Sequence, residues 1–102
     1  MVKKTLIYWR DIPAQVIVQR GRKREKALLS ARFQEAIDRA AMRAGKGSSD
    51  AYMSEWRRES SSVVSDAGLR EIAEQETSRL ELEFSDEALL QLIRSNGTAG
   101  ER

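Results

Sequence analysis

Thr5-Leu6-Ile7-Tyr8-Trp9-Arg10-Asp11-Ile12-Pro13-Ala14-Gln15-Val16-Ile17-Val18-Gln19-Arg20 is the stretch that decides the fold. Its β-branched and aromatic residues fall into two runs, Thr5 to Arg10 and Ala14 to Arg20, and such side chains suit a pleated, half-buried surface. Asp11-Ile12-Pro13 supplies the turn between them. Pro13 has no N–H to give to a ladder, which fits a loop or the first residue of the second strand. In the second run Val16 and Val18 point one way, toward the core, and Gln15, Ile17 and Gln19 point the other. In the first run Leu6 and Tyr8 alternate with Ile7 and Trp9, so the face that carries Trp9 stays open.

Working outward, Gly21 ends the second strand and a long helix is expected from about Lys23 to Ala44. Leu29, Phe33, Ala36, Ile37, Ala40 or Ala41, and Ala44 recur along it at helical spacing. The Gly45-Lys46-Gly47-Ser48-Ser49 stretch is a loop; it lacks the spacing of a phosphate-binding loop and follows a helix instead of leading into one. Tyr52 to Glu59 reads as a third strand, with a short helix capped by Ser49 or Asp50 as the alternative. Ser60-Ser61-Ser62 reads as a connection. Ser65 is the expected N-cap of a helix reaching about Phe84, with Leu69, Ile72, Ala73, Leu80 and Phe84 as its apolar stripe. Ser85 opens a last short helix through Leu89, Leu90, Leu92 and Ile93, which Asn96-Gly97 stops. The expected fold is an α+β two-layer sandwich: a small antiparallel ββαβ sheet packed by two main helices and a short C-terminal helix. A single domain over residues 1–97 with a frayed tail at 98–102 follows from a length of 102 residues, too short for two cores.

The chain contains no cysteine and no histidine. That excludes disulfides, a thiolate nucleophile and cysteine zinc sites, and it removes the usual acid/base residue near neutral pH. The glutamates of the C-terminal third read as a solvated helical face, so no catalytic residue, metal site or cofactor is assigned. A free-standing enzyme is not the expectation. The apolar stretch before Arg10 is shorter than the ~7–15 residues of a signal peptide. No run approaches the ~20 residues of a membrane span. The expectation is a cytoplasmic chain without membrane contact.

The formal net charge is only +2, but the first quarter is basic and the last third acidic. Two features mark candidate binding residues. One is the basic cluster Arg20, Arg22, Lys23, Arg24 and Lys26. The other is a repeated pair, Trp9-Arg10 and Trp56-Arg57-Arg58, in which each of the two tryptophans precedes an arginine. If both pairs lie on strands of one sheet, the tryptophans are core anchors. Tyr8, Arg10, Gln15, Gln19, Glu55 and Arg57 would then face outward. The binding set is therefore Tyr8, Arg10, Arg20, Arg22, Lys23, Arg24, Lys26, Arg57 and Arg58. Its partner is expected to be a protein, with RNA or a phosphate anion as the alternative, and a homodimer through the open sheet face is a further option.

The segment from Ile7 to Val16, together with Glu55-Trp56-Arg57-Arg58 and the helix Phe33 to Arg43, resembles a small bacterial family labelled "virulence factor". The label comes from a domain in a conserved virulence protein of Gram-positive bacteria. The likeness covers about residues 4–94. It implies a stand-alone α+β domain and, from the genes that neighbour such domains, an accessory subunit of folate- and corrinoid-dependent methyl-transfer systems. It implies no catalytic residues.

Overall fold

The expected hairpin forms, but Ile12 and Pro13 belong to its second strand and not to the turn, and the other elements are arranged around it. The computed structural model describes residues 1–98; residues 99–102, which hold most of the expected frayed tail, lie outside the described residues. The elements are β1 (Val2–Trp9), β2 (Ile12–Arg20), β3 (Lys23–Leu28), α1 (Ala31–Arg43), α2 (Ser49–Met53), β4 (Trp56–Val63), α3 (Leu69–Glu83) and α4 (Asp86–Arg94). The strands make one antiparallel sheet in the order β3-β2-β1-β4, and the fold is α+β.

Two tight hairpins build the sheet. Trp9 pairs with Ile12, so the first turn is Arg10-Asp11 alone. Arg20 pairs with Lys23 around Gly21-Arg22. Gly21 takes φ 61°, which a side chain disfavours and a two-residue hairpin turn demands. Between Ile7 and Tyr8 the register slips: Ile7 faces Gln15 and Tyr8 faces Pro13, leaving Ala14 as the extra residue of a bulge. Pro13 thus sits where a missing donor does no harm.

The expected helix start at Lys23 is corrected. Lys23–Leu28 is an edge strand, and α1 begins only at Ala31 with Ser30 as N-cap. These six residues are mostly charged and poor strand formers, so pairing with β2 decides their state. Ser60-Ser61-Ser62 is likewise strand rather than connection, because β4 runs along β1 through Val63, with Thr5 Oγ1 3.0 Å from Ser60 Oγ. Residues 52–59 combine both readings: Tyr52 ends up in α2, capped by Ser48, and Trp56 opens β4. The cap of α3 is Gly68 instead of Ser65, whose hydroxyl accepts from the Ala67 N–H at 3.1 Å. Ser85 caps α4, accepting from the Ala88 N–H.

One side of the sheet is packed by helices. Val16 and Val18 are fully buried there against the stripes Phe33-Ala36-Ile37-Ala40-Ala41 of α1, Leu69-Ile72-Ala73-Leu80 of α3 and Leu89-Leu92-Ile93 of α4. Each large side chain removed from water in this way stabilises the fold by ~1.5–3 kcal/mol.

Within the α3 stripe one residue is charged. Glu76 is only 8% exposed. Its carboxylate pairs with Arg79 one turn on and with Lys4 Nζ of β1 at 3.2 Å. The Arg79 guanidinium, helped by Lys4, holds the Glu76 carboxyl below its ordinary range against the opposing effect of burial. Glu81 is lowered as well: burial pushes it up, but the Ser30 N–H and hydroxyl and the Arg32 guanidinium outweigh that. Between a depressed folded value and the ordinary carboxylate value, the unfolded chain holds a proton that the folded chain does not. Stability is therefore full above the ordinary range and is lost as pH falls through the folded values. Urea midpoints should stay level above about pH 5 and fall toward pH 3. Glu76→Gln should remove part of that acid slope while the Glu81 share persists; an unchanged slope would show that Glu76 is not a source.

Candidate functional site

The repeated Trp-Arg pair has a structural explanation. Trp9 and Trp56 are register partners across β1 and β4, so the repeat marks two strands that pair. Trp9 is fully buried. By strand parity it belongs with Thr5 and Ile7, but it lies at the hairpin end, where it is stacked on Tyr52 at 5.9 Å and donates its indole N–H to the Tyr52 carbonyl at 2.9 Å. Trp56 is half-buried and meets Tyr52 edge-on at 5.8 Å.

The arginines beside them hold the hairpin tip. Arg10 sits at φ 53°, in the left-handed region, and the surrounding structure fixes it there. Its N–H donates to the Glu55 carbonyl, its Nε to Glu55 Oε1 at 3.2 Å and its Nη1 to the Asn96 carbonyl at 2.8 Å. Arg57 donates from Nε to the Arg10 carbonyl at 2.6 Å and from Nη2 to Asp11 Oδ1 at 2.9 Å, and it also pairs with Glu59. Its guanidinium carbon lies 4.4 Å from the centre of the Tyr8 ring. Burial, with Glu59 nearby, pushes the Tyr8 phenol above its ordinary value. Tyr8, Arg10 and Arg57 are thus half-buried and tied to partners within the fold, which corrects the expectation that they stand on an uncovered face. Tyr8 and Arg57 alternate onto the helix side, as the pairing of Leu6 with both Val16 and Glu59 requires.

The basic cluster divides. Arg20 turns inward, donating from Nη2 to the carbonyls of Ser65 and Ala67 at 2.9 and 2.8 Å. Arg22 and Lys23 are exposed at the second hairpin turn. Arg24 and Lys26 pair with Gln19 and Ile17 and so share the face opposite the helices. Arg58 joins them there as the partner of Ile7.

That opposite face is the candidate site. Its rows are Lys3, Thr5 and Ile7 from β1, Gln15, Ile17 and Gln19 from β2, Arg24, Lys26 and Leu28 from β3, and Arg58, Ser60 and Ser62 from β4. The rows bear the cations Lys3, Arg24, Lys26 and Arg58 and no carboxylate. Among the described residues none of these four is in a salt bridge. Leu28 is 70% exposed, and Met53 of α2, at the edge of the face, is 63% exposed. Two depressions lie on it. One, of about 300 Å³, is lined by Ile7, Gln15, Met53, Trp56, Arg57 and Arg58. The other, of about 130 Å³, is lined by Lys3, Thr5, Ile17, Gln19, Arg24 and Arg58. Arg58 belongs to both. The Gln15 side-chain carbonyl is buried and has no hydrogen-bond partner among the described residues.

Lys3, Leu28 and Met53 are members of this face that the sequence alone did not single out, and Trp56, read there as a core anchor, lines it half-buried. The signal for Leu28 was the alternation Arg24-Lys26-Leu28, which becomes meaningful only once Lys23–Leu28 is a strand. Among the described residues no group of three acidic, histidine or cysteine side chains is placed to hold a metal. No helix there is long and apolar enough to cross a membrane.

Neither the curated proteins nor the solved structures contain a match to the chain. A family model does match it: the one described as "Virulence factor" aligns with residues 7–93, from the last three residues of β1 through the other strands and helices to within one residue of the end of α4. The chain therefore belongs to the virulence factor domain family.

Proposed function

We propose that this domain is a non-catalytic accessory module that docks a protein partner with an acidic surface onto the uncovered sheet face. The observation that carries the reading is the set of cations Lys3, Arg24, Lys26 and Arg58, in no salt bridge among the described residues, on rows without a carboxylate, with exposed Leu28 and Met53 at one edge of the same face. Exposed apolar side chains beside charge of one sign suit a protein interface, and that charge steers and registers an oppositely charged partner. The absence of histidine and cysteine supports a binding role over a catalytic one. The partner class implied by the family resemblance is a component of a folate- or corrinoid-dependent methyl-transfer system.

The test is affinity capture with the full chain in its host, after nuclease treatment, comparing wild type with Lys26→Glu/Arg58→Glu. A protein recovered with wild type should be lost with the double reversal. It should be retained with Glu35→Lys/Asp38→Lys, which alters the exposed side of α1. The same recovered set from all three chains would overturn the proposal. RNA is the second reading, favoured by the same unpaired cations. Under it, capture is abolished by nuclease, and affinity falls steeply with salt as each neutralised phosphate releases counterions.

A further inference from the structure

We infer that the acidic surface docked on this face presents a phosphorylated side chain, and that Lys3, Arg24 and Arg58 form the seat for its phosphoryl group. The inference rests on the docking role proposed above and adds the chemistry of what is docked.

The three cations come from three strands and two rows of the sheet. Lys3 and Arg24 both pair with Gln19, so they share one row across β1, β2 and β3. Arg58 of β4 pairs with Ile7, four residues farther along β1, a separation of about 13 Å at strand spacing. All three nevertheless line the same depression of about 130 Å³, so their side chains lean toward one another along the sheet. Its floor agrees. Thr5 and Ile17 form the row between, and each is only 7% exposed although neither belongs to the core that the helices share. The long side chains around them lie across the face and cover them. Lys3, Arg24 and Arg58 are themselves exposed, so a ligand can reach their charged ends.

Cations that converge in this way repel one another, and the fold supplies no counter-charge. Among the described residues none of the three is in a salt bridge, and their rows carry no carboxylate. A carboxylate or an RNA phosphodiester would bring a single negative charge to them. A phosphate monoester brings about 1.5–2 at pH 7, with three strong acceptor oxygens. An arginine meets two such oxygens at once through its paired N–H groups, and an ammonium takes the third as a point charge. Exposed Leu28 and Met53 at the edge of the face offer apolar contact that a free phosphate ion cannot use, which favours a phosphorylated protein segment.

The experiment titrates the full chain, ¹⁵N-labelled, with a blocked acidic peptide carrying one phosphoserine and with counterparts in which serine or glutamate replaces it. The phosphopeptide should bind about tenfold more tightly than the glutamate peptide, the worth of one further charge-assisted hydrogen bond. It should shift the amides of Lys3, Arg24 and Arg58 most. Lowering the pH from about 7 to about 5 carries the phosphate through its second ionisation and should remove the advantage. The chain has no histidine to titrate in that interval. Lys3→Gln and Arg24→Gln should each reduce the preference and together abolish it, with a dispersed spectrum as the check on folding. Arg39→Gln, on the exposed side of α1, should keep it. Equal affinities for the phosphoserine and glutamate peptides would overturn the seat. Inorganic phosphate binding as tightly as the phosphopeptide would overturn the docked segment and leave a small-ion site. Tighter binding of single-stranded RNA, retained at the lower pH, would reassign the seat to a phosphodiester. Phosphatase treatment of the host extract before capture separates this inference from the docking role. A partner still recovered after phosphatase, yet lost with Lys26→Glu/Arg58→Glu, overturns the phosphoryl seat alone. A recovered set indifferent to the charge reversal overturns the docking role itself.

Discussion

Trp9→Ala should lower the free energy of unfolding by about 4–5 kcal/mol, the upper part of the range for deleting a buried aromatic side chain. Three contacts account for so large an effect. The ring is fully buried in the common core. It stacks on Tyr52 at 5.9 Å with the planes 27° apart. Its N–H is the donor to the Tyr52 carbonyl at 2.9 Å. Removing it opens a cavity at the point where β1, α2 and the chain after α4 meet, and strands a carbonyl whose partner is gone. Domains of this size are stable by only ~5–15 kcal/mol, so most of the margin would be lost. At ~4–8 °C per kcal/mol the thermal midpoint should fall by roughly 20–30 °C. Trp9→Phe separates the contributions: it keeps most of the ring and loses the N–H, and should cost ~1–2 kcal/mol. A Phe variant as unstable as the Ala variant would place the whole effect in the hydrogen bond and refute the packing account. Calorimetry and urea unfolding, with dispersion of the spectrum as the check on folding, give both numbers.

The hairpin around Trp9 is also where the sequence was most informative. Tyr8-Trp9 and Val16-Ile17-Val18 are strong strand formers, and the two runs lie close enough to pair through a short turn. The stripes of α1, α3 and α4 were legible for the same reason: burial of Phe33 and Ile37, of Ile72 and Leu80, and of Leu89 and Ile93 follows helical spacing. Ser85 ahead of Asp86-Glu87 named its own helix start. Lys23–Leu28 and Ser60–Val63 were not legible, and the reason is physical. Both belong to edge strands made of residues with little intrinsic strand preference, β3 held by its tight hairpin with β2 and β4 by pairing with β1 across a long sequence distance. The candidate face inherits that difficulty. Gln15, Ile17 and Gln19 were assigned to it from alternation within one strand. Arg24, Lys26, Leu28 and Arg58 reach it only through inter-strand register, and the Ala14 bulge disturbs the alternation toward the hairpin end. The same register turns Tyr8 and Arg57 away, so the residues that looked most like a binding device are the ones securing the hairpin tip.

Gly97→Ala should cost about 2–4 kcal/mol, an unusual penalty for one methyl group beyond the last helix. Gly97 closes α4, its N–H donating to the Leu92 carbonyl at 2.7 Å, and its own carbonyl accepts from the Asp11 N–H at 2.8 Å. These bonds hold it at φ 91°, a conformation that costs an L-residue about 1–2 kcal/mol. They also hold it against the Trp9 ring: a Cβ at this position would lie 2.9 Å from one ring carbon and 3.3 Å from the next. Trp9 is fully buried and cannot swing away, so relief requires moving the hairpin tip or the end of α4, at a further ~1–3 kcal/mol. Gly45→Ala separates the two causes. Gly45 has φ 73°, but its Cβ would meet nothing within 4 Å, so only the backbone cost of ~1 kcal/mol should remain. A double-mutant cycle locates the rest. In a Trp9→Leu background, where the ring is gone, Gly97→Ala should lose its steric share and approach the Gly45→Ala value. Additivity of Trp9→Leu and Gly97→Ala would contradict this contact. A coupling of ~1–3 kcal/mol would establish that the C-terminal turn, the hairpin tip and the Trp9 core are one cooperative unit, supporting the sheet whose opposite face is left uncovered.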